Sequence, residues 1–339
     1  MTSLRRTASL LLAAAAFSLG LSAGAQAQQK PEGITIGYLN LVNAQLVTKA
    51  LGLHEKSGVP IKWVKFGSGG DMNRAVAANQ VDFGGVGNPP FTLGATRALP
   101  YKGIFVLNML GPVESLAVRS DKNIKSLKDL AGKTAAAPFG STTHYLFIAA
   151  LKEAGVNPTD VKLIDLSPSD AVAAWLRKDI DAAWIWEPNL DKIVKNGGEI
   201  FLTSGEMAKR GYPTWDVGVV MNDFAAKYPD QVVAYVKAEC EGIDYWLKHP
   251  KETVDIIAKE LSLPPEDAER MMKGTTMVPC PEQITKDYLG TPGQIGQFAD
   301  TMLATATFLK DQGRLPSVMD RAGYAAFIDP SYLAKALGK

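Results

Sequence analysis

Cysteine and histidine are scarce in this chain: two of the first and three of the second (His54, His144 and His249) in 339 residues. Ligands so few and so widely spaced exclude a structural zinc site or a clustered redox-metal site. An excess of either charge is also missing. Lys and Arg total 36 against 35 Asp and Glu, a formal net charge of +1, and there is no basic run. That balance argues against nucleic acid and anionic membrane as partners. Past residue 30 there is no G-x-S-x-G elbow, no H-E-x-x-H pair and no P-loop lysine. The commonest signatures of hydrolysis and phosphoryl transfer are therefore absent. What is present is ordinary for a folded protein: 46% hydrophobic, 21% charged, mean hydropathy −0.01. Such a chain buries a large core and, at this length, divides into about two domains.

The first residues stand apart. Arg5 and Arg6 precede an apolar run, 8–21, and Ala23-Gly24-Ala25-Gln26-Ala27 supplies small residues at A-x-A spacing. This is the layout of a secretory signal peptide, 1–27, with cleavage after Ala27. The alternative is a membrane anchor, but the run is shorter than the roughly 20 residues a bilayer needs. The Arg5-Arg6 pair raises twin-arginine export, and general secretion is the preferred route. No second long apolar stretch follows, so the exported chain is expected to be soluble. An oxidising destination and an even cysteine count predict a Cys240–Cys280 disulfide; two buried free thiols are the alternative.

Strand-like and helix-like patterns then alternate. Strands are expected at 34–39, 61–66, 82–86, 103–109, 115–119, 133–137, 161–166, 182–186, 200–202 and 215–221. Helices are expected between them at 46–53, 72–79, 143–153 and 170–178. Near-continuous apolar strands alternating with amphipathic helices imply an α/β fold with parallel sheets covered on both faces. From residue 223 the pattern becomes helical, with helices expected at 224–247, 251–260, 265–273 and 293–312.

Some turns look built to present backbone amides. Phe66-Gly67-Ser68-Gly69-Gly70-Asp71, Gly87-Asn88-Pro89-Pro90 and Phe139-Gly140-Ser141-Thr142-Thr143-His144 each follow a strand and open a helix. Free N–H groups at a helix start, at the carboxyl edge of a sheet, bind anions. Plain helix capping is the alternative for any one of them.

Three segments carry a family resemblance. Pro138-Phe139-Gly140-Ser141-Thr142-Thr143-His144-Tyr145 resembles a P-F-x-S-T-T-H-Y turn. Tyr212-Pro213-Thr214-Trp215-Asp216-Val217-Gly218-Val219-Val220 is similar to a P-T-x-D-V-x-V-V segment. The run from Leu176 to Pro188, with Asp179-Ile180-Asp181-Ala182 and Trp186-Glu187-Pro188, resembles a G-D-I-D-A-x-x-x-W-x-P segment. These belong to the sulfonate/nitrate/taurine substrate-binding proteins of ABC importers, and the first two to their taurine branch. The resemblance runs over nearly the whole chain after the leader.

It implies a type II periplasmic binding protein: two α/β lobes joined by two crossover strands, with a helical C-terminal tail. Lobe 1 would be 31–112 plus 224–339 and lobe 2 would be 113–223, with crossovers near Gly111-Pro112 and near Asn222. The implied partners are a small sulfonate such as taurine and an ABC permease. The chain would be periplasmic, monomeric, without cofactor or metal, and not an enzyme. The rival reading is an enzyme on the same fold, of the pyrimidine-synthase-like kind, or a binder of another small zwitterion or anion.

A sulfonate is a tetrahedral anion that helix N-termini can meet without a full positive charge. The expected contacts are Ser141, Thr142 and Thr143 in one lobe, facing Ser68, Gly69, Asn88 and Pro89 in the other. Tyr38 and Asn40 are edge candidates. His144 is either a donor or a residue satisfied within its own lobe. An ammonium needs an acid: Asp216 matches the acidic position of the taurine branch, and Glu187 departs from a small residue there, so either could hold it. Trp186 could stack on the cationic end. Trp184 lies two residues from it on the same strand face, so core packing is expected of at least one.

Overall fold

The computed structural model describes residues 31–339; the expected signal peptide lies outside the described residues. The chain begins with β1 (Ile34–Leu39), α1 (Ala44–Ala50), β2 (Ile61–Phe66), α2 (Gly69–Ala77), β3 (Phe83–Gly87), α3 (Asn88–Thr96) and β4 (Tyr101–Met109). It then enters a second unit of β5 (Glu114–Arg119), β6 (Thr134–Ala137), α4 (Thr142–Glu153), β7 (Lys162–Asp165), α5 (Pro168–Leu176), β8 (Ala182–Trp186), α6 (Asn189–Val194), β9 (Gly198–Thr203) and α7 (Ser204–Lys209). β10 (Trp215–Met221) follows. The helical tail comprises α8 (Asn222–Lys227), α9 (Pro229–Lys248), α10 (Pro250–Leu261), α11 (Pro265–Lys273) and α12 (Cys280–Gln283). A short hairpin, β11 (Gly290–Thr291) and β12 (Gln294–Ile295), leads to α13 (Phe298–Asp311), α14 (Arg321–Ala325) and α15 (Ser331–Ala336).

Two five-stranded sheets result, ordered β2-β1-β3-β10-β4 and β7-β6-β8-β5-β9. β1, β2 and β3 run parallel, as do β6, β7 and β8, while β10 and β5 are antiparallel to their neighbours. The two orders are the same pattern. In each lobe the antiparallel strand enters directly from the other lobe, so the chain crosses at residues 110–113 and 210–214. The crossovers are bonded to each other, Leu110 N–H donating to the Thr214 carbonyl at 3.0 Å.

This corrects the expected return crossover near Asn222. β10 belongs to the first sheet, between β3 and β4, so its residues leave lobe 2. The strand is buried along its whole length, and apolarity alone does not say which sheet supplies its neighbours.

The tail packs on lobe 1. α9 lies along α1, and α15 along α9. The outer edge of β4 is covered by the tail: Gln283 accepts from Val106 N–H at 2.7 Å and donates to the Val106 carbonyl at 2.9 Å. Such pairing blunts a free edge strand. Cys240 of α9 and Cys280 of α12 are joined by a disulfide, with Cα atoms 5.8 Å apart.

Two expected helices are shorter than the sequence pattern suggested. The segment 224–247 breaks at Tyr228, whose φ of −132° and ψ of 55° are not helical. Pro229 crowds the residue before it out of the helical region and opens α9 at the position proline favours. The segment 293–312 is helical only from Phe298. Pro292 and Gly293, the latter at a φ of 85°, form the turn of the β11–β12 hairpin instead.

Candidate functional site

A cavity of about 30 Å³ lies between the lobes, and residues of both sheets' carboxyl edges line it. Lobe 2 contributes the start of α4. Ser141 is its N-cap: the hydroxyl accepts from His144 N–H at 3.3 Å and donates to the Pro138 carbonyl at 2.6 Å. Gly140, at φ 77°, permits the turn that precedes it. Thr142 follows at the first helical position and donates its hydroxyl to Glu114 Oε1. Lobe 1 contributes Gly69 at the start of α2, which Ser68 caps by accepting from Asp71 N–H at 3.2 Å. The apolar part of the wall is formed by Leu39, Leu41, Val42, Leu110 and Val113, with Trp186 from β8.

The lobes meet closely here. A Cβ added at Gly87 would lie 2.4 Å from the Thr142 methyl, so only glycine admits this approach of lobe 1 to lobe 2.

Of the three buried carboxylates at the cavity, two stand at matching places in the two sheets. Glu114 opens β5 and pairs with Trp186 at the end of β8; Asp216, second in β10, pairs with Gly87 at the end of β3. Their environments differ. Glu114 accepts from Thr142 on one oxygen and from the Ser204 hydroxyl on the other, at 2.9 Å. Burial, with the Asp216 charge adding to it, pushes its carboxyl up to about 8 against the two hydroxyl donors. Burial likewise raises Asp216 to about 7, opposed by a hydrogen bond from the Asn108 side chain across the strand pair. Asp216 and Asn108 both line the cavity, and Asp216 Oδ2 and Asn108 Oδ1 are buried with no hydrogen-bond partner among the described residues. No lysine, arginine or histidine lines the cavity among the described residues.

Glu187 also lines the cavity, but its carboxylate is engaged. It accepts from Asp191 N–H at 2.9 Å and from Arg270 at 3.2 Å. Burial raises it, while those donors pull it back.

Of the residues the sequence singled out, Gly69, Ser141, Thr142, Trp186, Glu187 and Asp216 line the cavity. The others do not. Tyr38 packs edge-on to Trp63 with ring centroids 5.9 Å apart, and Asn40 and Pro89 contribute nothing to the lining. Ser68 acts as a cap and also donates to Asp71 at 2.9 Å. Asn88 holds the crossover, its Oδ1 accepting from Trp215 N–H at 3.1 Å. Thr143 is fully buried with its hydroxyl 2.8 Å from that of Ser141. His144 stacks on Phe139 at 4.4 Å and accepts from Gly140 N–H at 3.3 Å through Nδ1. Burial, with Arg314 nearby, pushes it down to about 4, so the ring is neutral at ordinary pH. Trp184 is wholly buried against Phe147.

Sequence reasoning missed Glu114 and Asn108. Glu114 carried the same signal as Asp216, an acid near the start of a buried strand, but the strand was read as starting at Ser115. Asn108 carried none, as a single amide near the end of an apolar run.

Among the described residues no helix is long and apolar enough to cross a membrane, and no group of three or more His, Cys, Asp or Glu is placed to hold a metal ion. A family profile described as NMT1/THI5 like matches residues 42–253. The chain is 35% identical over 299 residues to the taurine-binding periplasmic protein of Escherichia coli (strain K12), covering 86% of this chain and 90% of that one. It is 26% identical over 309 residues to a putative aliphatic sulfonates-binding protein of Bacillus subtilis (strain 168), covering 90% and 88% respectively. In fold it resembles the alkanesulfonate-binding protein SsuA of Xanthomonas axonopodis pv. citri bound to MOPS, with a TM-score of 0.73 at 20% identity, over 89% of this chain and 99% of that one. With its paired five-stranded sheets, interlobe cavity and these relatives, the chain belongs to the NMT1/THI5-like family, among the sulfonate/nitrate/taurine substrate-binding proteins.

Proposed function

We propose that the protein is the periplasmic solute-binding component of an ABC importer and that its ligand is taurine. The observation that carries the choice of a zwitterion is the pair of buried, unpartnered acceptors, Asp216 Oδ2 and Asn108 Oδ1, in a cavity with no basic side chain. A buried carboxylate without a partner is unfavourable by several kcal/mol unless it is protonated or meets a donor. A ligand ammonium supplies that donor and a counter-charge together.

The sulfonate end goes to the helix starts. The amides at the start of α4, beginning at Thr142, and of α2, beginning at Gly69, carry the partial positive charge of helix N-termini and suit an anion that spreads charge over three oxygens. The two methylenes between the ends face the leucine and valine side chains and Trp186. Glu114 orients the Thr142 hydroxyl. Closure of the lobes about residues 110–113 and 210–214 removes the ligand from water, a hinge motion, and the closed monomer presents it to the permease. The Escherichia coli relative is named for taurine, which agrees with this choice.

Calorimetry with taurine, ethanesulfonate and nitrate tests the reading. Taurine should bind most tightly and be recovered unchanged from the denatured complex. Binding of nitrate in preference to both sulfonates, or chemical conversion of taurine, would contradict it.

A further inference from the structure

Glu187 lines the cavity, yet both its oxygens are committed to donors outside it. The donor Arg270 lies on α11, and α11 is fixed to lobe 1. It packs on α10, which packs on α1. The residues just after it are bonded into lobe 1, Thr275 to the Val42 carbonyl at 3.3 Å and Met109 N–H to the Thr276 carbonyl at 2.8 Å. Glu187 and α6 belong to lobe 2, where α6 packs on β5, β8 and β9.

Three ion pairs therefore cross from one lobe to the other. Arg270 reaches Glu187 at 3.2 Å and Asp191 at 2.6 Å, and Lys195 reaches Asp267 at 2.6 Å. Each lobe also braces its own base, Arg270 with Asp267 at 3.2 Å and Lys195 with Asp191 at 2.8 Å. The three acids are nearly covered, with 7–12% of their side chains exposed, while Arg270 and Lys195 are half in solvent at 51% and 56%. Such pairs can exist only with the lobes together, and opening the cleft parts all three.

We propose that Arg270 is a positioning residue for the ligand site: paired across the cleft with Glu187 and Asp191, and backed by Lys195–Asp267, it holds the lobes closed over the ligand without touching it. The proposal rests on the sulfonate-binding reading above, and it makes affinity depend on a contact that never touches the ligand. A latch of half-exposed pairs weakens as salt screens it, and its loss acts on closure, hence on dissociation more than on encounter.

The test is calorimetry and stopped-flow binding of taurine and ethanesulfonate to wild type and Arg270→Gln at low and high salt. The expected result is that Arg270→Gln weakens both ligands by the same factor, about three- to tenfold for a small set of partly exposed pairs. Dissociation should be faster, association unchanged, and the gap between the proteins should close at high salt. Lys195→Gln should act in the same direction with a smaller loss. Unchanged affinity in Arg270→Gln, or tighter binding of taurine alone because the freed Glu187 takes the amine, would overturn the proposal. If wild type binds neither sulfonate, the functional reading fails on its own. Small-angle scattering of the ligand-free proteins then decides the latch: a more open Arg270→Gln at low salt supports it, and identical profiles overturn it.

Discussion

The two lobes are built to one strand order, yet they bring opposite chemistry to the same cleft. In each, an antiparallel strand arrives from the other lobe with an acid in its first two residues, beside the end of the third parallel strand: Glu114 in lobe 2, Asp216 in lobe 1. Lobe 2 surrounds its acid with hydroxyls, from Thr142 and Ser204. Lobe 1 gives its acid one amide and leaves one oxygen without a partner. The loops after the first strands differ in the same way. After β6 comes Ser141-Thr142, after β1 come Leu41 and Val42, and all four line the cavity. A repeated framework thus sets an acid satisfied by hydroxyls in lobe 2 against an acid with an open oxygen in lobe 1.

The sharpest way to break this asymmetry is to neutralise each acid in turn. Asp216→Asn leaves a bound ammonium without its counter-charge, and truncating one side of a buried pair costs about 2–5 kcal/mol, or roughly 30-fold or more in affinity. Glu114→Gln keeps an acceptor for one of its two hydroxyls and should weaken taurine by less than about tenfold, through Thr142. Equal losses by calorimetry would show the two acids to be equivalent.

Covalent bracing also differs between the lobes, since the one disulfide lies in the tail that covers lobe 1 and spans a sequence separation of 40. Closing a loop of that size stabilises by about 3–4 kcal/mol in the chain-entropy view. Reduction should lower the melting temperature and leave taurine affinity in the folded protein unchanged. A loss of affinity without a change in melting would mean that the disulfide shapes the site.

The closeness of the lobes is tested by Gly87→Ala. The added methyl would lie 2.4 Å from the Thr142 side chain, and overpacking of this kind costs about 1–3 kcal/mol. It should appear as weaker binding of every ligand, with the ligand-free fold intact by circular dichroism. A taurine-selective loss would contradict a role in closure.

Most of the framework was legible because strand burial shows directly as apolar runs: β1, β2, β8 and β10 begin and end where the pattern placed them. Which sheet takes β10 was not legible, because membership depends on where the chain returns. Within the site, the limit was direction. On β1, Leu39 lines the cavity and Tyr38, its neighbour, does not, as successive strand residues face opposite ways. At α4, Ser141 and Thr142 stand at the helix mouth, while Thr143 and His144 turn back into lobe 2. The S-T-T-H-Y motif pointed to a turn that reaches the cavity but could not say which of its residues line it. Glu114 was hidden by a strand start misplaced by one residue after the Gly111-Pro112 crossover.

The smallest expected effect is on pH dependence. Glu114 and Asp216 are raised to about 8 and about 7, so the ligand-free protein retains protons that the unfolded chain releases nearer the ordinary carboxylate range of about 4. Stability of the ligand-free protein should therefore fall as pH rises through that window. An ammonium favours the ionised acids, so taurine affinity should rise over the same window, by at most about tenfold per pH unit for one proton released. Titrations in buffers of different ionisation enthalpy should detect that release. A flat affinity between pH 6 and 8 would mean that the ligand does not meet these acids.

The central claim is that the open acid of lobe 1 selects a zwitterion, and the ratio of taurine to ethanesulfonate affinity tests it most directly. Both ligands carry the sulfonate and differ at the amine. Measured side by side by calorimetry, wild type should prefer taurine, and Asp216→Asn should reduce that preference by about 30-fold or more while ethanesulfonate binding changes little. A ratio that survives the substitution, with both ligands weakened alike, would make Asp216 a structural residue and contradict the account.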